Sequence, residues 1–214
     1  MFNSSEIRTL MNLPPAYFRR ADETPDSLFY QAPRLVTHID ATTIAALRQF
    51  YREQLPSAGD LLDLMSSWIS HLPEEVEYGR VAGLGMNREE LAANPRLTDF
   101  VVHDLNADPQ LPYPAASFDA VLIAVSVQYL IRPVEVFASI AGVLRPGGRC
   151  IVAMSHRLFP TKAIAAFCQL GPRERHNLVQ AYFVSAGGFE TPDFFDASPP
   201  TGDPLWIVTA QRAG

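Results

Sequence analysis

Apolar and polar positions fall in blocks along this chain, and the blocks change period. In Asp40–Leu55 the apolar residues Ile44, Leu47, Phe50/Tyr51 and Leu55 recur at helical spacing, which predicts an amphipathic helix with Asp40 as N-cap and Pro56 just past its end. Leu61–Leu64, Arg80–Met86, Thr98–His103, Phe118–Val125 and Arg149–Met154 are instead short, near-continuous apolar runs, the pattern of strands covered on both faces. Helical patterns separate several of them. Asn87 caps one, with Glu90 completing a capping box, and Pro133 opens another that carries Val136, Phe137, Ile140, Val143 and Leu144 on one face. Arg145-Pro146-Gly147-Gly148 predicts a turn before the fifth strand, with both glycines free to take positive φ. After Pro160 one or two helices run to about Ala186, and two extended segments around a Pro/Gly loop close the chain. Strands alternating with helices imply βαβ units, hence an α/β fold with a mostly parallel sheet, right-handed crossovers and helices on both faces.

The stretch Asp60–His71, DLLDLMSSWISH, punctuates this pattern most abruptly. An apolar run stops at two serines and a tryptophan, as a buried strand would if it fed directly into a helix capped by Ser66 or Ser67. Before it, residues 1–37 have prolines and aromatics without a period and predict an irregular arm or lid, ahead of a domain over residues 38–214.

Composition narrows the partners. A net charge of −6 over 214 residues gives no broad basic face, so no nucleic-acid partner is expected, and Lys162 is the sole lysine. Cys150 and Cys168 sit in apolar surroundings and read as two buried free thiols. His and Cys positions lack ligand spacing, so no metal is expected. The N-terminus does not read as a signal peptide, and no run approaches the roughly 18 apolar residues of a membrane span, so a cytoplasmic location without membrane attachment is the expectation.

Two segments carry a resemblance. Leu111-Pro112-Tyr113-Pro114-Ala115-Ala116-Ser117-Phe118-Asp119-Ala120-Val121 and Leu144-Arg145-Pro146-Gly147-Gly148-Arg149, at this spacing after two βα units, resemble class I S-adenosylmethionine-dependent methyltransferases of the small-molecule, ubiquinone/menaquinone-methyltransferase-like group. The resemblance implies a Rossmann-like doubly wound sheet of seven strands, the last antiparallel, with S-adenosyl-L-methionine bound beyond the carboxyl ends of the strands. Asp119 itself reads as a strand-start residue at the opposite end.

The cofactor loops implied by the resemblance are three, with Ser126 at the end of the fourth strand beside them. Asp63, Met65, Ser66, Ser67 and Trp68 stand where the family has an acid followed by glycines. Gly85 stands where it has the acid that binds the ribose hydroxyls, leaving Met86 to cover the adenine and Asn87 or a serine hydroxyl to reach the ribose. Asp104 and Leu105 match the adenine-binding pair residue for residue. Methyl transfer needs alignment and sometimes a base, for which His38 and His156 are the candidates. Tyr30, Gln128, Tyr129 and Arg157 are candidates for lining the acceptor pocket, whereas His71 and His103 read as packing residues. The implied activity is methyl transfer to a small molecule. The missing glycines and ribose acid keep open a second reading, a binding or partner module that has lost cofactor chemistry. A nicotinamide oxidoreductase fits worst, for want of GxGxxG.

Overall fold

A computed structural model describes residue 10 and residues 12–214. Its seven strands are β1 (Asp60–Leu64), β2 (Arg80–Gly85), β3 (Asp99–Val102), β4 (Phe118–Ala124), β5 (Leu144–Met154), β6 (Asp193–Asp196) and β7 (Trp206–Gln211). They form one sheet in the order β3-β2-β1-β4-β5-β7-β6. The first five strands are parallel, and β7 runs antiparallel to both its neighbours. The direction of winding reverses between β1 and β4, and such a reversal opens a crevice beyond the carboxyl ends of those strands.

Strand period two decides which side chain meets which layer. Leu62, Leu64, Val121, Ile123, Cys150 and Val152 pack under α4 (Pro133–Val143) and α6 (Pro172–Ala186), against Phe137, Ile140, Tyr182 and Phe183. Leu61, Val81, Ala120, Leu122 and Ile151 point the other way, onto Leu47, Phe50 and Tyr51 of α2 (Ala41–Gln54). Each buried Leu, Ile, Val or Phe among them contributes about 1.5–3 kcal/mol. Asp40 caps α2 as its sequence predicts, accepting from the Thr43 N–H at 2.9 Å. At the end of the sheet opposite the crevice, Arg145 bridges Asp60 and Asp119, and Asp119 also accepts from the Asp60 N–H at 2.8 Å. That ties three strands together and accounts for Asp119 structurally.

Four expectations are corrected. No helix follows β1: residues 65–79 form an irregular crossover to β2. The Ser66 and Ser70 hydroxyls turn back onto the Asp63 carboxylate, Met65 and His71 take left-handed φ of 59° and 54°, and Pro73 lies where a helix would have its second turn. The turn before β5 is instead part of that strand, with a register irregularity against β4. Gly147 has φ 77°, but Gly148 is required for space, because a Cβ there would crowd the Arg145 and Asp119 carbonyls. The capping box at α3 (Arg88–Ala93) is half made: Asn87 accepts from the Glu89 and Glu90 N–H groups, while the Glu90 carboxylate points elsewhere. Cys150 is buried but Cys168 is exposed.

Among the described residues no helix is long and apolar enough to cross a membrane. The proposed arm falls partly outside the described residues, at positions 1–9 and 11. Its remainder holds a 3-10 turn, Pro15–Phe18, and the short helix α1 (Asp26–Phe29).

Candidate functional site

The crevice at the carboxyl ends of β1, β2 and β4 is a pocket of about 1150 Å³ of empty space, including its open mouth. Its floor begins with Asp63, the fourth residue of β1. Burial pushes this carboxyl up to about 6, against two lowering hydrogen bonds from Ser66 Oγ at 2.6 Å and Ser70 Oγ at 2.7 Å. The loop then crosses the tip of β2, where the Ser66 N–H donates to the Leu84 carbonyl at 2.8 Å. The Ser66 carbonyl occupies the space that any Cβ at Gly85 would need. Gly85 therefore lets the β1 loop close over β2, and a carboxylate cannot be grafted at 85 without moving that loop.

One turn further, Glu90 brings a carboxylate to the same wall. Its Oε1 accepts from the Arg34 N–H at 2.7 Å and its Oε2 from Ser67 Oγ at 2.5 Å. Asn87 lines the pocket but is fully engaged: its Oδ1 caps α3 and its Nδ2 donates to the Tyr30 and Gln31 carbonyls. Past β3, Asp104 Oδ1 accepts from the Asn106 N–H at 2.9 Å and the Ala107 N–H at 3.3 Å, an Asx turn that leaves Oδ2 without an assigned hydrogen bond. Leu105, Met86 and Ser126 line the same space, and Ser126 Oγ is buried with no partner.

The roof comes from the N-terminal segment. Asp26 is its hub, taking Arg20 Nη1 at 2.7 Å, Asn106 Nδ2 at 2.8 Å and the buried Lys162 ammonium at 3.4 Å. Asn106 in turn donates to the Tyr129 carbonyl and accepts from the Ile131 N–H. The indole of Trp68 donates to the Val36 carbonyl at 2.9 Å. Thus residues beyond the ends of β1, β2, β3 and β5 all hold the segment down. Around the mouth, Phe159 meets Tyr129 (stacked, 5.9 Å), Phe29 (5.4 Å) and His38 (5.3 Å), and the Arg34 guanidinium lies 4.3 Å above the Phe29 ring.

Of the residues singled out from sequence, the pocket gathers Asp63, Met65, Ser66, Ser67, Gly85, Met86, Asn87, Asp104, Leu105, Ser126, His38, Tyr30 and Tyr129. Trp68 is a correction, since its indole clasps the roof instead of lining the pocket. His156 is another: its Nε2 lies 3.2 Å from Asp203, which also takes Arg157, outside the pocket. Held by the Asp203 carboxylate, the His156 and Arg157 side chains pack on that turn instead. Gln128 is buried, donating to the Val125 carbonyl. His103 bonds the Asp108 carbonyl but also borders the pocket. Asp26, Arg34, Glu90 and Phe159, which the sequence pattern does not mark as site residues, also line the pocket, as does His71, whose pattern reads as packing. Only Glu90 carried a signal, as an acid one turn beyond a strand that ends in glycine. Among the described residues no cluster of His, Cys, Asp and Glu could hold a metal ion.

Residues 66–152 match a family described as methyltransferase domain. No curated protein matches the sequence. Among solved structures, the chain is similar to an S-adenosylmethionine-dependent methyltransferase from Mesorhizobium loti (19% identity, 80% of this chain and 100% of that chain, TM-score 0.55). It is similar also to the Burkholderia thailandensis 1,6-didemethyltoxoflavin-N1-methyltransferase, solved with 1,6-didemethyltoxoflavin and S-adenosylhomocysteine (19%, 81% and 79%, 0.57). The [4+2]-cyclase SpnF shares the fold (18%, 80% of each chain, 0.57). The pocket suits a nucleoside cofactor at its Asp104 end, where Asp104 keeps one carboxylate oxygen outside the Asx turn and Ser126 has an orphaned hydroxyl, and it departs at the β2 tip, where an acid cannot stand without moving the β1 loop. The β1 loop that swaps glycines for serines is thus a variation within a known frame: residues 66–152 match a methyltransferase domain, and the chain has the fold of S-adenosylmethionine-dependent methyltransferases.

Proposed function

We propose that this chain is an S-adenosylmethionine-dependent methyltransferase that acts on a small molecule, by in-line transfer of the methyl group, within the pocket closed by its own N-terminal segment. The observation that carries the reading is the roof: residues 26–38 narrow the crevice mouth to a chamber of small-molecule size rather than leaving an open face for a polymer. The toxoflavin-precursor enzyme, with a small heterocycle as its acceptor, is consistent with it. The cofactor supplies an electrophilic methyl on a sulfonium. Asp104 Oδ2 and the Leu105 backbone hold the adenine, with Met86 against its face. Glu90 and Ser67 take the ribose hydroxyls, the role that Asn87 has no free polar atom to fill. His38 accepts the proton of a protic acceptor; burial lowers its pKa, Glu90 raises it and Arg34 lowers it.

Isothermal calorimetry with S-adenosylmethionine and S-adenosylhomocysteine tests the reading, with micromolar binding expected. No binding at millimolar ligand would favour the second reading, a methyltransferase-fold module without cofactor chemistry. The filled β2 tip is the specific observation on that side. The ubiquinone/menaquinone-type reading rests on the two sequence segments.

A further inference from the structure

Arg34 is a cation of the pocket that has no anion. Among the described residues it is the only arginine or lysine to line that space. Direct contacts place its guanidinium on the aromatic side of the mouth. The central carbon lies 4.3 Å from the ring centre of Phe29, 5.7 Å from that of Phe159 and 5.9 Å from that of Tyr30, and the last two residues line the pocket. Nη2 donates to the Phe29 carbonyl at 2.8 Å and Nη1 to the Ala32 carbonyl at 3.5 Å, both uncharged acceptors. Those bonds use two of the five N–H groups that a guanidinium carries. The carboxylates of the pocket are committed elsewhere: Asp26 to Arg20 and Lys162, Asp63 to two serine hydroxyls, Glu90 to Ser67 and the Arg34 main chain, and one oxygen of Asp104 to its own turn. A guanidinium stays charged, and carbonyls solvate that charge without neutralising it. Packed on Phe29 and tethered to its carbonyl, this one is preorganised to take an anion with its remaining N–H groups.

We propose that Arg34 receives a carboxylate carried by the methyl acceptor, so that the substrate is a small carboxylic acid. The inference rests on the methyltransferase reading for the word acceptor, but the anion site itself needs no cofactor. Phe159 ties the anion to the chemistry. The His38 ring lies 5.3 Å from its centre and the Arg34 guanidinium 5.7 Å, so one compact molecule can set its carboxylate on Arg34 and its reacting group toward His38. A monoanion suits the site better than a phosphate dianion, because one guanidinium stands among four carboxylates. The rings of Phe29, Tyr30 and Phe159 favour an apolar body beside the charge.

The test is calorimetric titration of the full chain with benzoate, benzamide and inorganic phosphate. Benzoate is expected to bind roughly tenfold more tightly than benzamide, its uncharged counterpart of similar shape, and phosphate more weakly than benzoate. Arg34→Gln, which keeps a polar side chain without the charge, should remove the preference for benzoate, and Arg34→Lys should keep part of it. The amino-acid end of the cofactor carries the same carboxylate chemistry, and the wild-type chain separates the two sources. Benzoate should still bind when S-adenosylhomocysteine is present. If S-adenosylhomocysteine excludes benzoate while 5′-methylthioadenosine, which lacks the amino-acid end, does not, Arg34 serves the cofactor and the proposal is overturned. Equal wild-type binding of benzoate and benzamide overturns it too, as does phosphate bound as tightly as benzoate, or no benzoate binding at millimolar concentration. These wild-type comparisons decide even if a variant does not fold. Failure of S-adenosylhomocysteine to bind while the preference for benzoate holds strikes the cofactor reading alone.

Discussion

The main-chain carbonyl of Ser66 sits where the Cβ of any residue other than glycine at position 85 would stand. The relationship joins the loop after β1 to the tip of β2 and explains two departures from the family at once. The serine-bearing loop leans over β2, and β2 ends in glycine because that loop leans there. Gly85→Ala should therefore destabilise the fold by about 2 kcal/mol or more, since the obstacle is backbone rather than a flexible side chain. Urea denaturation measures it; a change under about 0.5 kcal/mol would mean that the loop yields freely.

Cofactor affinity should divide between two acids. Asp104→Ala and Glu90→Gln are each expected to weaken S-adenosylhomocysteine by about 1–3 kcal/mol in calorimetry. Asn87→Ala should act instead on stability, by about 1 kcal/mol through the lost cap, because its side chain is spent on α3 and on the Tyr30 and Gln31 carbonyls. An Asn87→Ala variant with intact stability and lost affinity would reverse the assignment.

Two buried groups oppose each other in their pH dependence. Asp63 is raised by burial from 3.8 to about 6, so between those values the native state holds a proton that the unfolded chain has released, and stability falls as pH rises. His71 is lowered from 6.5 to about 4, so across nearly the same window the unfolded chain holds the extra proton, and stability rises with pH. Each contribution is about 3 kcal/mol, because a tenfold change in proton affinity is worth about 1.4 kcal/mol. The two cancel in the wild-type chain. Asp63→Asn should expose a net rise in stability from pH 4 to 6.5, and His71→Asn a net fall from pH 4 to 6. Chemical denaturation across that range, compared with the wild type, checks both slopes.

The roof depends on the one lysine. Lys162 is fully buried against Asp22 and Asp26 and also donates to the Thr24 carbonyl at 2.7 Å. Lys162→Met should cost about 3–5 kcal/mol by leaving Asp26 short of a cation, and amide exchange should quicken across residues 20–34 before the sheet is affected. In the double variant with Asp26→Asn the loss should be less than the sum of the singles. Exchange that quickens uniformly over the whole chain would show that the segment is no separate unit.

Strands β1, β2, β4 and β5 were legible because a buried parallel strand needs nothing more than an unbroken apolar run, whereas β3, at the sheet edge, is only partly buried. Asp40 and Asn87 were legible as caps for a similarly local reason: a cap reads N–H groups two or three residues away. The β1 loop was misread for the opposite reason. Serines at 66 and 67 are equally good at capping a helix and at bonding a neighbouring carboxylate, and Asp63, three residues back, won that competition with both Ser66 and Ser70. His156 failed because its position past β5 said which end of the sheet it left from, but not that Asp203, 47 residues on, would collect it.

By itself the amino-acid order determined the strand-and-helix succession, the doubly wound class and the two segments, 111–121 and 144–149, that carry the methyltransferase resemblance, all of which are written in short-range patterns of burial and turn chemistry. Only the tertiary structure decided how the pocket is finished: that Glu90 rather than residue 85 offers a carboxylate, that Asn87 is spent, and that the N-terminal segment is pinned over the crevice through Asp26. Those facts depend on pairs such as Arg34 with Glu90 and Asp26 with Asn106, 56 and 80 residues apart, whose meeting is set by sheet order and by which polar groups burial forces to find partners.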